Sequence, residues 1–388
     1  MFGWKKHEAE SVIGENNRIM KIGVITTQYS PNYGALLQTF ALQTYLKSNY
    51  GEGAAEVINY VPPHSKDFWS IYPTSGGYKN LLLRMYLWMH PGFVQKRKLL
   101  FQQFRRFIQK YIICTKEYYT LDELERLEGN YDILICGSDQ IWNITRHDDP
   151  AWFLYFSKKW TGCTKIAYAP SVADKIPEGH EGNLKKYLEN LDYISVRESD
   201  DVKQLVQYTS KDIYHVCDPV FLLSKEQWSN FLPENRIQEP YILCYFISTG
   251  DFAADVVKRI KEITGMKIVH VNVNIRDKFG ADYDIRTASP FEFVSYIRNA
   301  SLICTNSFHC TAFSVIFQKD FLVIPKHEAN SRMASLMKKV GMSSRFISKQ
   351  QLDNLSSEDL KIDYDNFDIQ QWILDSKEFL KEAINGNE

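Results

Sequence analysis

Residues 21–47 have the sequence KIGVITTQYSPNYGALLQTFALQTYLK, in which a short apolar run leads into a longer helical pattern. The run KIGVIT (21–26) is rich in β-branched residues and is too continuously apolar for a half-exposed strand, so it predicts a buried strand. The segment GALLQTFALQTYLK, which begins at Gly34, predicts a helix. A buried strand followed by a helix is the repeating unit of a parallel α/β sheet.

The same alternation of strand and helix recurs along the chain in two groups. The first group of predicted strands comprises KIGVIT (21–26), EVINYV (56–61), DILICG (132–137), KIAYA (165–169) and YISV (193–196). The second group comprises YILCYFI (241–247), KIVHVNV (267–273), SLICTN (301–306) and FLVIP (321–325). We therefore predict an α/β fold with two doubly wound, Rossmann-like domains that face a cleft, where the carboxyl ends of the strands converge.

The domain boundaries are predicted from the breaks between these groups. Residues 1–19 lack the apolar core of a secretory signal and are expected to form a flexible extension. Residues 20–222 form the N-terminal α/β domain, which ends at an Asp-Pro turn, and residues 223–360 form the C-terminal α/β domain. The amphipathic segment within residues 361–388 predicts a helix that packs back over the first domain.

Composition narrows the class of protein. The 388 residues exceed what one hydrophobic core usually fills, and 44% hydrophobic with 24% charged residues is ordinary for a soluble globular protein. A net charge of −1 argues against nucleic acid as a partner. The seven cysteines include no CxxC pair, and several lie in apolar runs, which indicates reduced thiols, a cytoplasmic location and no structural zinc site.

The first candidate motif lies where the first strand meets its helix. Asn32, Tyr33 and Gly34 stand at the helix entrance, where free backbone N–H groups and the helix dipole can bind an anion or a hydroxyl. The alternative is that Asn32 is a simple N-terminal cap and Gly34 allows tight packing. The residues alone favour this alternative, because no full glycine-rich fingerprint is present.

The second motif is DILICGSDQIWN (132–143). Gly137 permits a sharp turn that places Ser138, Asp139 and Gln140 at the carboxyl edge of the sheet. Asp139 can orient or deprotonate a sugar hydroxyl, or it can merely cap the next turn. The neighbouring Trp142 can offer an aromatic platform to a sugar face. The residues leave the two interpretations evenly balanced.

The third motif is Arg197, which follows the predicted strand YISV directly. Its planar guanidinium can bind a carboxylate or a phosphate through two parallel hydrogen bonds. The alternative is a surface pair between Arg197 and Glu198, which would contribute little. The position at the end of a strand favours a side chain that lines the cleft.

The fourth motif is SLICTNSFHCTAFSVIF (301–317), where a buried strand turns into an apolar helix. Thr305, Asn306, Ser307 and His309 gather hydroxyl, amide and imidazole groups at one helix start. A lone histidine is more often structural than catalytic. The turn faces the predicted cleft, however, so we expect His309 to bind a phosphate as a cation or to act as a general acid.

Five blocks of sequence together resemble the polysaccharide pyruvyl transferase family in order and spacing. They are NYGALLQTFALQTYL, CGSDQIWN, SVRESDDVKQL, CDPVFLL and TNSFHCTAFSVIF, and the resemblance spans about residues 20–345. It implies a fold like the GT-B glycosyltransferases, with the acceptor on the first domain and the donor on the second. It also implies that Arg197 and His309 bind the anionic groups of phosphoenolpyruvate. Many members carry arginine where this chain has Ser307, and Arg332 or Lys326 can compensate.

The resemblance implies a pyruvyltransferase that forms a ketal. The pyruvyl unit would pass from phosphoenolpyruvate to two hydroxyls of a hexose, expected to be galactose, in a bacterial capsular or exopolysaccharide precursor. His309 and Asp139 are the expected catalytic residues. No step requires a metal or an organic cofactor, so none is expected.

Two other functions remain open at this stage. A GT-B glycosyltransferase would use a nucleotide sugar and should show a ribose-binding carboxylate late in the second domain, where no convincing one is visible. A non-catalytic glycan-assembly protein could keep the same fold, and Ser307 is the residue that leaves this alternative open.

Residues 78–113 contain eight Lys or Arg, eight Phe, Tyr or Trp, and no Asp or Glu. The plainer prediction is a helical hairpin whose apolar face joins the core and whose basic face is solvated. A second, compatible prediction is a surface that docks on anionic lipid at the inner face of the membrane. From there the protein would reach a polyprenyl-pyrophosphate-linked oligosaccharide.

Overall fold

The structure is a computed structural model that describes residues 20–386 except 66, 75, 147, 274–278 and 326–330. The predicted extension at residues 1–19 and the candidate Lys326 lie outside the described residues.

The first domain is built on a seven-stranded parallel sheet with the order β3-β2-β1-β4-β5-β6-β7. Its strands are β1 (Ile22–Ile25), β2 (Ala55–Tyr60), β3 (Cys114–Tyr118), β4 (Ile133–Cys136), β5 (Thr164–Ala167), β6 (Tyr193–Val196) and β7 (Ile213–His215). Strand β1 lies between β2 and β4, with Ile22 level with Ala55 on one side and Ile133 on the other. The strand order therefore reverses beside β1, which is where open α/β sheets bind ligands.

The second domain is built on a five-stranded parallel sheet with the order β10-β9-β8-β11-β12. Its strands are β8 (Tyr241–Tyr245), β9 (Lys267–Val271), β10 (Tyr283–Ile285), β11 (Leu302–Thr305) and β12 (Phe321–Val323). Here the order reverses between β8 and β11. The predicted class of two parallel-sheet α/β domains is confirmed.

Thirteen α-helices are found in the described residues and connect or cover these strands. They are α1 (Tyr33–Tyr50), α2 (Tyr78–Met89), α3 (Pro91–Tyr111), α4 (Leu121–Glu125), α5 (Glu181–Glu189), α6 (Ser199–Leu205), α7 (Lys225–Ser229), α8 (Asp251–Thr264), α9 (Pro290–Asn299), α10 (Phe308–Ile316), α11 (Ser331–Lys339), α12 (Lys349–Asp353) and α13 (Gln370–Asn385). None of the described helices has both the length and the apolar character that a bilayer-crossing helix needs.

All nine predicted strands form, and three further strands were missed. The missed strands β3, β7 and β10 each lie at an edge of a sheet. An edge strand has one neighbour and stays partly in water, so its sequence carries polar residues, as in CTKEY of β3. That composition hides the strand from a search for continuous apolar runs.

Helices α2 and α3 form the predicted hairpin, but only α3 follows the predicted burial. Helix α3 buries Val94, Leu100, Phe101, Phe104 and Phe107. In α2 the prediction that the apolar face joins the core is wrong, because Leu87 is its one buried residue.

The two domains share a continuous hydrophobic core. Helix α1 of the first domain packs against α9 and α10 of the second. The Tyr33 ring stacks on Phe293 with centroids 4.5 Å apart, and its hydroxyl donates a hydrogen bond to the Ala288 carbonyl at 2.8 Å. The cleft is therefore closed at its base by apolar contact.

The C-terminal helix α13 packs on the first domain, beside β5. The Ser376 hydroxyl accepts a hydrogen bond from the Cys217 backbone N–H at 2.9 Å. The ring of Phe379 stacks on the ring of Tyr168, with the ring centroids 6.4 Å apart. The chain thus leaves the second domain and ends on the first.

Candidate active site

Arg197 lies at the centre of a buried cluster between the domains. Its Nη1 donates a hydrogen bond to Asp218 Oδ2 at 2.7 Å, its Nε donates to Glu198 Oε1 at 3.0 Å, and its Nη2 lies 3.8 Å from Asp139 Oδ1. The guanidinium also lies over the Phe308 ring of the second domain, 4.5 Å from its centroid. Arg197 is not the surface pair that was the alternative from sequence.

The charges of Arg197 and Asp218 hold each other in the ionised state. Burial lowers the pKa of Arg197, but the carboxylates of Glu198 and Asp218 raise it by more, so its pKa is raised. Burial raises the pKa of Asp218, yet His309 and Arg197 lower it by more, so that carboxyl stays ionised. Buried charges are tolerated when they are paired in this way.

His309 reaches the same cluster from the start of α10. Its Nε2 lies 3.5 Å from Asp218 Oδ2 without hydrogen-bond geometry. Among the residues that the structure describes, the buried Nε2 of His309 and the buried Nη2 of Arg197 have no hydrogen-bond partner. Two buried donor positions therefore remain for an anion at the domain interface.

The start of α1 lies directly against the His309 ring. A Cβ atom on Gly34 would lie 2.0 Å from His309 Nδ1, so only glycine fits there. The Asn32 side-chain oxygen accepts hydrogen bonds from the backbone N–H groups of Gly34 at 2.8 Å and Ala35 at 3.3 Å. Those two amides are thus occupied, and the cap and tight packing considered from sequence are what the geometry shows.

Tyr33 does not face the cleft. Its ring is buried in the core shared by the two domains, and burial raises the pKa of its hydroxyl well above the usual value. The prediction that Tyr33 contacts substrate is wrong, because its hydroxyl is bonded to the Ala288 carbonyl.

The loop after β4 requires glycine and buries a serine. Gly137 has a φ of 131°, and a Cβ there would lie 1.9 Å from the Tyr168 carbonyl oxygen. The hydroxyl of Ser138 is fully buried and donates a hydrogen bond to the Ala169 carbonyl at 2.6 Å. The predicted substrate contact by Ser138 is therefore wrong, and Gly137 shapes the loop.

Asp139 is the residue of this loop that reaches the cleft. Its side chain is 20% exposed, and Thr27 donates a hydrogen bond to its Oδ2 at 3.3 Å. Its other oxygen faces Arg197. A carboxylate so placed can accept a proton from a bound hydroxyl.

Arg332 of α11 brings a second guanidinium to the site from the second domain. The Gln140 side-chain oxygen accepts hydrogen bonds from Nε and Nη2 of Arg332, both at 3.2 Å, in the amide orientation that satisfies both groups. Burial lowers the pKa of Arg332, and the nearby Arg197 cation lowers it further. Among the described residues, no carboxylate lies within ion-pair distance of Arg332.

Trp142 is not a sugar platform. Its ring is 1% exposed and stacks on Phe153 with centroids 4.8 Å apart. Its indole N–H donates a hydrogen bond to the Trp152 carbonyl at 2.9 Å. The predicted substrate contact is wrong because the ring is buried, stacks on Phe153 and has its N–H bonded within the core.

The polar residues before His309 bond to their own neighbourhood. The Thr305 hydroxyl donates to the Tyr245 carbonyl at 2.6 Å, and Ser307 caps α10 by accepting from the Cys310 N–H at 3.4 Å. Asn306 accepts a hydrogen bond from the Ile247 N–H and donates one to the Ser248 carbonyl. The predicted substrate contacts of Thr305 and Asn306 are thus replaced by a role in fixing the turn that carries His309. The contact of Ser307 stays a prediction, because its hydroxyl accepts one hydrogen bond and keeps its O–H.

The sequence analysis did not identify three acidic residues of this site as functional. Asp218 and Glu198 pair with Arg197, and Asp201 lies beside Glu198. Burial and the Glu198 charge raise the pKa of Asp201 to about 9. The Asp-Pro step of CDPVFLL was a visible signal for Asp218, but its distance of 21 residues from Arg197 hid the pairing. No group of three or more His, Cys, Asp or Glu in the described part of the chain is arranged to hold a metal ion.

A groove of about 930 Å³ opens beside the carboxyl ends of β1 and β2. Its lining combines the aromatic rings of Tyr29, Trp69 and Tyr119 with polar side chains such as Asn59 and Glu117. Tyr29 of this lining follows Thr27 by two residues, and the Thr27 hydroxyl donates a hydrogen bond to Asp139, so the groove lies on the side of the sheet where Asp139 is found. Sequence reasoning missed this groove, because its residues come from separate segments.

Comparisons with known proteins identify the family of the chain. The family model described as polysaccharide pyruvyl transferase matches residues 32–328. No curated protein matches the chain in sequence.

Among solved structures, a putative UDP-N-acetylglucosamine 2-epimerase from Listeria monocytogenes is similar with a TM-score of 0.50 and 12% identity, over 95% of this chain and 91% of that one. The UDP-GlcNAc 2-epimerase from Neisseria meningitidis has a TM-score of 0.49 and 11% identity, over 95% of this chain and 100% of that one. The glycosyltransferase SnogD from Streptomyces nogalater has a TM-score of 0.44 and 11% identity, over 94% of this chain and 96% of that one. At 12% identity, the similarity to the Listeria monocytogenes structure shows the fold alone. The family model, in contrast, matches most of the chain. This chain therefore belongs to the polysaccharide pyruvyl transferase family.

Proposed function

We propose that the protein transfers a pyruvyl unit from phosphoenolpyruvate to two hydroxyls of a hexose and forms a ketal. The observation that carries the proposal is the presence of two guanidiniums at the site, the buried Arg197 of the first domain and the half-buried Arg332 of the second. Phosphoenolpyruvate carries a phosphate and a carboxylate, and a guanidinium fork matches either anion. Arg332 supplies the positive charge that many family members place at the position of Ser307.

The charge balance supports this assignment of donor groups. Arg197 is already neutralised by Asp218 and Glu198. The Arg332 guanidinium bonds to the neutral amide of Gln140, and no carboxylate among the described residues lies within ion-pair distance of it. Arg332 therefore provides the larger uncompensated charge, and the free Nη2 of Arg197 provides a directed hydrogen bond. Together they can hold the two ends of a small dianion.

The reaction requires one proton to be added to carbon and two to be removed from oxygen. Protonation of the methylene carbon of phosphoenolpyruvate makes the adjacent carbon electrophilic, and one sugar hydroxyl attacks it. The bond from that carbon to the phosphate oxygen breaks, and the second hydroxyl closes the ketal. One hydroxyl proton balances the proton given to carbon, and the other leaves with phosphate.

We assign these proton transfers to the two groups nearest the cations. His309, with its unpartnered Nε2, delivers the proton or binds the departing phosphate. Asp139 accepts the proton of the attacking hydroxyl. Neither a metal nor an organic cofactor enters this proposal.

The acceptor sugar is assigned to the groove of the first domain, and the donor to the cleft between Arg197 and Arg332, on the side of the second domain. Aromatic faces such as Tyr29 and Trp69 suit the apolar faces of a sugar ring, and amides such as Asn59 suit its hydroxyls. A hexose in this groove would present hydroxyls towards Asp139. We propose galactose, in a precursor of a capsular polysaccharide or exopolysaccharide.

The test is product formation. Purified full-length protein should release phosphate from phosphoenolpyruvate only when a galactose-containing oligosaccharide is present, and mass spectrometry should show the ketal. Phosphoenolpyruvate should also raise the melting temperature, since a ligand at 100 times its Kd adds about 2.7 kcal/mol. Stabilisation by UDP- or GDP-sugars but not by phosphoenolpyruvate would contradict the proposal.

Two variants separate donor binding from proton transfer. Arg332→Gln should raise the Kd for phosphoenolpyruvate about 10- to 100-fold, because a charge-assisted bond is worth about 1.5–3 kcal/mol. Asp139→Asn should keep that Kd and lower kcat. The exposed Arg236→Gln is the control and should change neither value. Full kcat in Asp139→Asn would remove that residue from the mechanism.

A further inference from the structure

Helix α2 exposes an apolar surface that is large for a single helix. Six of its twelve residues are large apolar side chains classed as exposed, with Trp88 80% and Tyr78 74% accessible. The other four are Leu81, Leu82, Met85 and Met89.

These six side chains form one stripe. At 3.6 residues per turn they fall within an arc of about 120°, and the buried Leu87 lies on the opposite side of the helix. Lys79 and Arg84 flank the stripe, one on each side. A stripe of this width normally faces a protein core. On α2 it faces away from the described part of the molecule.

The helix beside the stripe is basic. Helix α3, which pairs with α2, exposes Lys96, Lys98, Arg105, Arg106 and Lys110. The segment 78–113 contains no Asp or Glu to offset these charges. An apolar stripe with basic flanks is the pattern of helices that lie in the interface of an anionic membrane.

We propose that α2 docks the protein on the surface of an anionic lipid bilayer, with the apolar stripe among the headgroups and the basic residues of α3 on the lipid phosphates. A second copy of the chain fits this surface poorly. A symmetric contact would bring eight cations of one copy against eight of the other without an acid between them. Charge complementarity therefore favours lipid.

The docked surface adjoins the groove of the first domain. Arg105, Ile108, Gln109 and Ile112 line that groove from α3. A bilayer under α2 would thus bring the groove close to a lipid-linked oligosaccharide. This last step rests on the proposed function, whereas docking itself does not.

Vesicle co-sedimentation of the full-length protein tests the proposal. The protein should bind vesicles of phosphatidylcholine with about one third phosphatidylglycerol, bind pure phosphatidylcholine far less, and lose affinity as salt rises. The stripe variant Leu81→Gln, Met85→Gln, Trp88→Gln should lower the partition coefficient at least about tenfold. The charge variant Lys96→Gln, Lys98→Gln should lower it about 25-fold, at about fivefold per charge.

Matched controls lie on other helices. Leu374→Gln on α13 removes an exposed apolar side chain, and Lys185→Gln with Lys186→Gln on α5 removes two exposed charges. Both controls should bind vesicles like the parent protein. Kinetics on a soluble glycan should be equal in all variants, so docking is judged separately from pyruvyl transfer.

Three results would overturn docking. The first is equal binding to charged and neutral vesicles, or no binding at low salt. The second is a lower melting temperature of the stripe variant without vesicles, which would mean that the stripe packs on the chain itself, for example on residues 1–19. The third is a dimer in sedimentation velocity that the stripe variant abolishes.

Discussion

Arg197 organises the site at the residue scale, because three carboxylates converge on its one guanidinium. Asp139, Glu198 and Asp218 come from three different loops of the first domain. Each would be costly to bury alone, since an unpaired buried charge loses its hydration. Arg197 therefore holds the loops together as well as facing the cleft, and its replacement would disturb the fold and the binding at once.

Gly34→Ala tests the packing of α1 on His309. The added Cβ would lie 2.0 Å from Nδ1, so the imidazole or the helix must move. We expect kcat to fall about 100-fold, as for a misplacement of about 1 Å, with a loss of about 1–3 kcal/mol in the free energy of unfolding. Steady-state kinetics and denaturant unfolding measure the two effects.

The matched control for that change is Gly182→Ala on α5, where a Cβ would meet nothing within 4 Å. It should keep full activity and gain slightly in stability, because alanine is the better helix former. Full activity in Gly34→Ala would show that the position of His309 is unimportant.

Asp201→Asn tests the raised pKa of a buried acid. With a pKa of about 9 when folded and about 3.9 when unfolded, Asp201 binds a proton more tightly in the folded state. Its stabilising contribution is complete below about pH 4 and is lost as pH rises towards 9. The asparagine keeps an acceptor for the Val172 N–H and should raise the free energy of unfolding at pH 8 by at least about 1 kcal/mol.

Unfolding of both proteins between pH 5 and 9 measures this effect. The gain from Asp201→Asn should shrink at pH 5, because the proton that Asp201 takes up from solution on folding costs less free energy at lower pH. Asp200→Asn, at an exposed neighbour in the same helix, should leave the pH dependence unchanged. A parallel pH dependence in Asp201→Asn and the parent protein would contradict the raised pKa.

At the scale of single elements, the turn between β11 and α10 is built from its own polar side chains. Thr305 and Ser307 bond to backbone groups, and Asn306 ties the turn to the loop after β8. A turn stabilised in this way holds His309, two residues after Ser307, in a fixed place. The polar residues at the end of β11 therefore position a neighbouring residue.

The packing of helix α13 on the first domain can be tested by mutation, because one face of the helix is buried there. Leu380→Ala removes a fully buried side chain and should lower the free energy of unfolding by about 2–5 kcal/mol. Leu374→Ala on the same helix removes a side chain that is 56% exposed and should change it by less than about 0.5 kcal/mol. Denaturant midpoints compare the two variants. Equal midpoints would mean that α13 does not dock on the first domain.

At the scale of the whole molecule, the hydrophobic core crosses the domain boundary. The Tyr33 ring contacts Phe104 of the first domain and both Phe293 and Tyr245 of the second, with centroids 4.5–5.8 Å apart. Apolar contact of this kind couples the unfolding of the domains, although two domains can in general unfold separately.

Calorimetry of Tyr33→Ala tests this coupling. The parent protein should unfold in one transition, and the variant should lose about 3–5 kcal/mol and unfold in two resolved steps. Tyr33→Phe removes only the hydrogen bond to Ala288 and should cost about 1 kcal/mol within one transition. A single sharp transition in Tyr33→Ala would show that other contacts suffice.

The sequence by itself determined the central strands and the family. The buried runs that became β1, β4, β8 and β11 are apolar on both faces, so they are recognisable without knowledge of their neighbours. It also determined that Arg197 ends a strand, because parallel strands place the residues that follow them at one edge of the sheet.

Only the tertiary structure decided which polar residues are free to act. Ser138 and Thr305 look as available in the sequence as Asp139, yet their hydroxyls are bonded to distant carbonyls. The pairing of Arg197 with Asp218 joins loops that local patterns do not connect. The sequence also did not determine that the apolar stripe of α2 faces outward. An amphipathic pattern indicates that a helix has an apolar face, but it does not indicate what that face contacts. The direction of a side chain depends on contacts between segments far apart in the chain, and only the folded chain brings those segments together.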